Sequence, residues 1–340
     1  MKPKELFEHL IAKKNLTFKQ MQEAIEASIT GQFNDVQIAT FLALMRMKGE
    51  TAKELTAAAD VMQKLAHPID LGENLMDIVG TGGDCKNTFN VSTACSFVVA
   101  ASGIPVAKHG NRSVSSSSGS ADLLEHAGFV LNLSDKQIQQ CIKECGLAFL
   151  FAPHYHPALK NASNARQQLG IRTLFNLLGP LINPAHVKKQ VIGVFSTDWQ
   201  HSIAAVLAHL GSERFLVVSS QDGLDEISIV EPTTVLEYNK DHLTQWVINP
   251  EDHGLKHPSL DDIIVNSPSK SLDIIQSIFS GKKGAARDII VLNSAAAIYC
   301  YHDNLSFELA IEQAKAAIDS GKAQHCFDTL RSLTQTFKSK

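Results

Sequence analysis

Apolar residues recur at helical spacing over the first 65 residues of the chain, beginning with Leu10 and Ile11. Three segments in this region, Thr17–Gln20, Asn34–Gln37 and Thr51–Glu54, have the composition of a capping box. In such a box the first side chain accepts from a free amide of the first helical turn, and the fourth side chain reaches back. The pattern predicts at least four short helices at the start of the chain.

After Pro68 the pattern changes to short apolar runs that alternate with helical segments. Met76–Val79 is a strand-like run that ends in a glycine-rich loop, Ser92–Ser102 is a helical run rich in small residues, and Ile104–Ala107 is a second strand. Further strand candidates are Ala148–Phe151, Val191–Phe195, Phe215–Val218 and Ile289–Leu292. Strand, loop, helix, strand is the order of a βαβ unit, so the chain is predicted to be an α/β protein with a mostly parallel sheet.

Composition argues against three classes: nucleic-acid-binding proteins, membrane proteins and disulfide-rich proteins. Of the 340 residues 44% are hydrophobic and 19% are charged, and the net charge of -4 offers no general attraction to nucleic acid or an acidic membrane. The six cysteines contain no CxxC pair, which does not resemble a disulfide framework and favours a reducing compartment. No run approaches the roughly 18 apolar residues of a membrane helix. We therefore expect a cytoplasmic protein that binds neither nucleic acid nor a membrane.

The glycine loop Gly80-Thr81-Gly82-Gly83-Asp84 is the first candidate for chemistry. Its glycines allow a sharp turn that exposes consecutive amides, and such amides bind anionic oxygen. The spacing matches neither the dinucleotide-binding GxGxxG nor the P-loop motif, so the loop alone fits a simple turn or a phosphate cradle. Ser92 or Thr93, further along, could cap the next helix or bind a ligand, and a hydroxyl there could contact a hydrated magnesium ion.

Two later loops also follow strands. Lys108–Ser116 carries two cations and several hydrogen-bond donors after the second strand, where ligands of open α/β sheets collect. Asp222–Glu226 is acidic; a solvated turn is the simplest interpretation, but such carboxylates also bind magnesium that holds phosphate. Taken together, the glycine loop, the basic loop and the acidic loop indicate a site for a polyphosphate and magnesium.

The ordered motifs GTGGD, NVST, KHGNRSVSS and DGLDE resemble those of the anthranilate phosphoribosyltransferases. The match covers most of the chain, including Tyr155–Ala158, Arg166, Gly170–Thr173 and Phe175–Pro180. The resemblance implies transfer of phosphoribosyl from phosphoribosyl pyrophosphate to the anthranilate amine, a step of tryptophan biosynthesis. It also implies two magnesium ions per subunit and a homodimer formed through the helical domain.

The resemblance further implies two domains. A small all-helical domain spans residues 1–68 and is joined by helices from about 160–186. A large α/β domain of the nucleoside phosphorylase type, with helices flanking the central sheet, spans residues 74–159 and 187–340.

The resemblance assigns site residues by matched position. For phosphoribosyl pyrophosphate they are Gly80, Gly83, Asp84, Thr88, Asn90, Val91, Ser92, Thr93, Lys108, His109, Gly110, Asn111, Arg112, Ser113, Val114, Ser115, Ser116 and Ser120. For anthranilate they are Gly80, Asn111, His156, Arg166 and Pro180; for magnesium, Ser92, Asp225 and Glu226; for catalysis, Lys108, Asn111 and Arg166. Ser113 and Ser117 depart from the alanine and lysine more usual in the family, which puts phosphate binding at Ser117 in doubt.

Alternatives remain open on the sequence. A pyrimidine nucleoside phosphorylase shares the implied fold but has no use for the acidic pair, and a same-fold nucleic-acid-binding protein would show a basic face. Among single residues, Arg166 could be a salt-bridged structural arginine, His109 could donate to a backbone group, and His156 could be a packing residue. The hypothesis for the reaction is electrostatic and positional catalysis without a covalent intermediate.

Overall fold

The computed structural model describes residues 1–113 and 118–339. Its N-terminal part is helical, as the apolar spacing predicts, with α1 Pro3–Ile11, α2 Phe18–Ile29, α3 Asp35–Lys48 and α4 Ala52–Lys64. The three predicted capping boxes are present: Thr17, Asn34 and Thr51 each accept from the backbone amide of the third helical residue. Each cap satisfies a donor that the helix itself cannot pair, so these starts are locally encoded.

Two helices from the middle of the chain, α9 Lys160–Leu169 and α10 Leu174–Leu178, pack into the same core as the N-terminal helices. Ala165 and Phe175 from this segment join Phe41 in the core. The core continues onto one face of the sheet, where Ile192 is fully buried. The helices and this face of the sheet therefore share one hydrophobic core.

One seven-stranded sheet organises the rest of the chain, in the order β3-β2-β1-β4-β5-β6-β7. The strands are β1 Met76–Gly80, β2 Val106–Gly110, β3 Leu147–Phe151, β4 Lys189–Gly193, β5 Arg214–Ser220, β6 Thr233–Asn239 and β7 His242–Ile248. Strands β1 to β5 pair in parallel, and β6 and β7 add antiparallel strands at one edge. The predicted fold class, a small helical domain with a mostly parallel α/β sheet, is confirmed.

The remaining helices flank the sheet or connect its strands. They are α5 Val91–Ala101, α6 Ser120–His126, α7 Asp135–Cys145, α8 Ala152–Tyr155, α11 Gln200–His209, α12 Pro268–Phe279, α13 Ala285–Tyr301, α14 Phe307–Asp319 and α15 Lys322–Thr336. The larger apolar core lies between the sheet and α5, α13 and α15. Within residues 1–113 and 118–339, no helix has the length and apolar character needed to cross a membrane.

The predicted strand Ile289–Leu292 is wrong: these residues lie inside α13. Helix α13 is buried on nearly all sides, and a short apolar run in such a helix has no polar face to reveal its period. The hairpin β6–β7 was not predicted. Its two-residue turn, Lys240-Asp241, has positive φ at both positions without the glycine or asparagine that usually marks such a turn.

Candidate active site

A cavity of about 320 Å³ opens at the carboxyl ends of β1 and β2 and is bounded by the loop after β5 and by α9 and α10. The predicted site residues that line it are Gly80, Gly83, Asp84, Thr88, Asn90, Val91, Ser92, Thr93, Lys108, His109, Gly110, Asn111, Arg112, Ser113, Ser120, Arg166, Pro180, Asp225 and Glu226. Val114, Ser115, Ser116 and Ser117 lie outside the described residues. Residues that are more than 140 positions apart in sequence therefore line the same cavity.

The glycine loop is shaped by contacts that only glycine permits. Gly82 and Gly83 have φ of 68° and 80°, a region that side chains disfavour. A Cβ at Gly80 would overlap the carboxylate of Asp225. The amide of Gly82 donates to Asp225 Oδ2 at 2.6 Å. The loop and the acidic pair are therefore in direct contact, and the first two glycines are needed for that approach.

Asp225 is buried and Glu226 is partly buried, and the pair is short of hydrogen-bond partners. Glu226 Oε1 accepts from the Ser92 amide at 3.2 Å, whereas Glu226 Oε2 is buried without a hydrogen-bond partner. Burial, followed by the charge of Asp84, raises the pKa of Asp225 to about 7; burial and Asp225 raise the pKa of Glu226. A cation would relieve this desolvation and repulsion, so the residues fit a metal ion.

Side chains of the usual kinds do not by themselves form a metal cluster. No group of three His, Cys, Asp or Glu residues within the described part of the chain is arranged to hold a metal ion. Asp225 and Glu226 are two carboxylates, and the backbone amide of Ser92 contacts Glu226, so these three residues line the same part of the cavity. Magnesium commonly binds one or two carboxylates and completes its octahedron with water and substrate phosphate.

Lys108 lies beneath the loops and is only 3% exposed. Its Nζ donates to the Ile78 carbonyl oxygen at 2.7 Å and to Ser92 Oγ at 3.2 Å. Burial lowers the pKa of Lys108, and the nearby Asp77 opposes that shift; burial also raises the pKa of Asp77 to about 6. The lysine is thus a buried cation that orients the Ser92 hydroxyl.

The loop after β2 is tied to α6. Arg112 forms a bidentate pair with Glu125, with the Nη2–Oε1 distance at 2.7 Å, and therefore extends toward the helix. The amides of Ser113 and Gly119 both donate to Asp122 Oδ2 at 2.9 Å. This shared carboxylate links Ser113 to Gly119 and holds both near the start of α6.

Arg166 reaches the cavity from α9, and its guanidinium lies 5.2 Å from the centre of the Phe175 ring. Burial lowers the pKa of Arg166, and across the described residues it forms no ion pair with a carboxylate. The structural salt bridge considered from the sequence is therefore not formed there. An unpaired, partly buried guanidinium in a cavity is suited to a carboxylate ligand.

The two histidines take packing positions. His109 Nδ1 lies 3.2 Å from the Gly179 carbonyl oxygen, which matches the backbone-donor alternative, and burial lowers its pKa to about 3. His156 does not line the cavity: it lies behind His109, with ring centres 5.3 Å apart, and its Nε2 contacts the Ile182 carbonyl oxygen at 2.9 Å. Neither Ser92 nor Thr93 caps α5, which begins after Asn90.

Several residues of the site were not singled out from the sequence. Phe175 and Asn176 line the cavity from α10, and Gly193 supports it from β4, where a Cβ would overlap the Asp225 carbonyl. Phe175 and Asn176 lie in a stretch that carries the family resemblance, which was a usable signal. Gly193 lies at the end of an apolar strand, and only the pairing of β4 with β1 brings it beside Gly80.

Comparison with known proteins agrees with this geometry. Residues 72–324 match the model described as "Glycosyl transferase family, a/b domain", and residues 4–66 match its helical bundle domain. An anthranilate phosphoribosyltransferase of Legionella pneumophila is 70% identical over 100% of this chain and 99% of its own length. The crystal structure of the Thermus thermophilus enzyme is 34% identical with a TM-score of 0.89, covering 97% of this chain and 99% of that one. The Saccharomyces cerevisiae enzyme, solved in complex with PRPP and Mg, is 26% identical with a TM-score of 0.88 and 98% coverage of both chains. The chain belongs to the anthranilate phosphoribosyltransferase family.

Proposed function

We propose that this protein transfers the phosphoribosyl group of phosphoribosyl pyrophosphate to the amine of anthranilate, giving N-(5-phosphoribosyl)anthranilate and pyrophosphate in tryptophan biosynthesis. The observation that carries the proposal is one cavity that joins the glycine loop, the Asp225-Glu226 pair and the unpaired guanidinium of Arg166. The first two suit a polyphosphate with a metal ion, and the third suits an aromatic carboxylate. The 70% identity with the Legionella pneumophila enzyme over the whole chain supports the same assignment.

Asp225, Glu226 and Ser92 would hold magnesium, two ions per subunit. The orphaned Glu226 Oε2 and the raised pKa values of both carboxylates support this assignment. When bound, magnesium supplies positive charge that stabilises the departing pyrophosphate. The yeast relative was solved with PRPP and Mg, which is consistent with the proposal.

The protein's own groups contribute orientation and fixed charge. Loop amides from Gly80 to Asp84 hold the phosphates, and buried Lys108 adds a cation beneath Ser92. Arg166 pairs with the anthranilate carboxylate, while the ring of Phe175 restricts the guanidinium and Asn111 helps to place the amine. Two substrates held in a fixed geometry react without a covalent enzyme intermediate, because displacement at the anomeric carbon mainly needs alignment and leaving-group stabilisation.

The assignment is tested by following anthranilate fluorescence as it is consumed with phosphoribosyl pyrophosphate and magnesium. Asp225→Asn keeps the shape of the side chain but removes its negative charge. We therefore expect kcat to fall by roughly 100-fold and the magnesium concentration for half-maximal rate to rise. Asp273→Asn, an exposed residue on α12, is the matched control and should leave the rate unchanged. A wild-type protein that consumes no anthranilate, or that instead cleaves thymidine or uridine with phosphate, would defeat the proposal.

The protein is further proposed to act as a cytoplasmic homodimer. Val36 and Met47 are 75% and 76% exposed on α3, and Ile11 on α1 is 61% exposed, so the helical domain carries large apolar side chains in contact with water. A second copy bound to this domain would remove them from water. Sedimentation velocity tests this, since Met47→Lys should shift the species toward monomer. All six cysteines are free, which suits a reducing compartment.

A further inference from the structure

Arg172, in the segment between α9 and α10, lies against the glycine loop although it does not line the catalytic cavity. Its guanidinium carbon is 4.3 Å from the centre of the Phe195 ring, and its Nη2 donates to Cys85 Sγ at 3.2 Å. Its carbonyl oxygen accepts from Arg46 Nη1 of α3 at 2.6 Å. One residue therefore touches the helical domain, the end of the sheet and the glycine loop.

The approach of Arg172 to the loop is close enough to constrain it. A Cβ built at Gly83 would lie 2.7 Å from Arg172 Nε and 3.0 Å from Arg172 Cδ. Such distances show that the arginine stem occupies the space beside the Gly83 backbone. Across the described residues, no carboxylate forms an ion pair with Arg172, so the loop and the aromatic ring are its main side-chain contacts.

The loop needs such a contact because its backbone is intrinsically loose. Gly82, Gly83 and Cys85 all have positive φ, and glycine loses more conformational freedom on ordering than any other residue. A loop that must present several amides to phosphate binds more weakly if it samples many conformations beforehand. A planar guanidinium held on Phe195 is rigid enough to restrict that sampling.

A second cavity of about 240 Å³ places Arg172 behind the site. Arg46, Arg172, Phe195 and Trp199 line it, and Asn176 lines both this cavity and the catalytic one. Arg172 is thus separated from the catalytic cavity by the loop, and its carbonyl links the loop region to Arg46 of the helical domain.

We propose that Arg172 is a positioning residue that holds the 82–85 loop in its phosphate-binding conformation and couples it to the helical domain through Arg46. This inference rests on the proposed function, because the loop is assigned to phosphoribosyl pyrophosphate. It differs from the site assignments above in that Arg172 does not line the catalytic cavity.

The first test separates the kinetic constants. Arg172→Gln should raise KM for phosphoribosyl pyrophosphate by about tenfold, while kcat and KM for anthranilate change by less than about threefold. Arg172→Lys keeps the charge but loses the planar group, and should lie between wild type and Arg172→Gln. Arg331→Gln is the control, since Arg331 on α15 also lies over a phenylalanine ring, that of Phe327, and does not line the catalytic cavity. It should leave all three constants unchanged.

The second test reads the loop itself and does not require activity. Hydrogen–deuterium exchange of the peptide that contains residues 82–85 reports on the loop backbone, where the Gly82 amide donates to Asp225. Alkylation of Cys85 would not serve, because Arg172 donates directly to its Sγ and so affects the thiol itself. Arg172→Gln should exchange these amides several times faster than wild type at an unchanged Tm. Phosphoribosyl pyrophosphate with magnesium should slow the exchange in the wild type and slow it less in the variant.

The outcomes are distinct. An unchanged KM with unchanged amide exchange would overturn the inference, and so would a raised KM without faster exchange, since that would mean direct contact with substrate. A fall in Tm together with a parallel loss in all constants would make Arg172 a general structural residue and would also overturn it. A wild-type protein without transferase activity would instead defeat the proposed function, while the exchange rates would still report whether Arg172 holds the loop.

Discussion

Replacing Gly193 with alanine should displace the acidic pair without touching its side chains. Gly193 ends β4, pairs with Gly80 on one side and Val218 on the other, and accepts from the Thr81 amide at 2.9 Å. A Cβ at this position would overlap the Asp225 carbonyl oxygen and lie 2.5 Å from its carbonyl carbon. Because β4 is held on both sides, the loop that carries Asp225 must give way.

The size of the displacement follows from these contacts. Real Cβ contacts are essentially never under 3.0 Å, so the Asp225 carbonyl carbon must move by at least 0.5 Å, and its oxygen, which is nearer, must move further. Overpacking of this kind costs about 1–3 kcal/mol of stability. Misplacement of a catalytic group by about 1 Å can cost roughly 100-fold in rate, so we expect kcat/KM to fall by about that factor.

The assay is anthranilate consumption measured over a magnesium titration, with thermal unfolding in parallel. The magnesium concentration for half-maximal rate should rise in Gly193→Ala. Val191→Ala, two residues earlier on β4 and buried in the core, is the matched control: it should cost about 2 kcal/mol of stability through a cavity, yet keep kcat/KM within a few-fold. Equal activity of Gly193→Ala and wild type at all magnesium concentrations would refute the reasoning, as would an equal loss in Val191→Ala.

Two further predictions concern Arg166 and His156. Arg166→Gln removes the unpaired guanidinium, so KM for anthranilate should rise by about 10- to 100-fold while KM for phosphoribosyl pyrophosphate changes little; equal rises would contradict the assignment. Burial lowers the pKa of His156 from 6.5 to about 4, so between these pH values the unfolded chain binds a proton that the folded protein does not. Burial of the neutral His156 therefore makes the free energy of unfolding depend on pH. Its contribution is fully present above pH 6.5 and falls by up to about 3 kcal/mol as the pH falls toward 4. The difference in Tm between wild type and His156→Gln should therefore shrink as the pH is lowered. A Tm difference that stays constant with pH would contradict this prediction.

Local features of this protein could be predicted because their physical cause is local. The capping boxes at Thr17, Asn34 and Thr51 need only residues three positions apart, and all three are formed. Strands β1 and β2 were visible because apolar runs lead there into glycine-containing segments, although β2 runs to Gly110 and so includes Lys108 and His109, which were predicted to lie in the loop after it. Where periodicity carried no information, as in the fully buried run Ile289–Leu292 of α13, the prediction was wrong.

The residue types of the candidate site could be predicted, but their states could not. Ordered motifs indicated that the glycine loop, Lys108 and the Asp225-Glu226 pair would act together. Sequence spacing does not show that Lys108 is buried and donates to Ser92 Oγ, or that Arg112 forms an ion pair with Glu125. It also cannot show that His156 lies behind His109, because such contacts join residues that are distant along the chain.

The sequence by itself determined the helical start, the alternation of strand and helix, and the chemistry available to the loops, since these follow from side-chain period, capping and charge. Only the tertiary structure decided which of these groups lie together around the cavity. Parallel pairing of β1 with β4 puts Gly80 beside Gly193, and the Asp225 loop packs on both. The packing of α10 against α3 and α4 places Phe175 at Arg166. These contacts depend on strand order and close packing, which no spacing along the chain encodes.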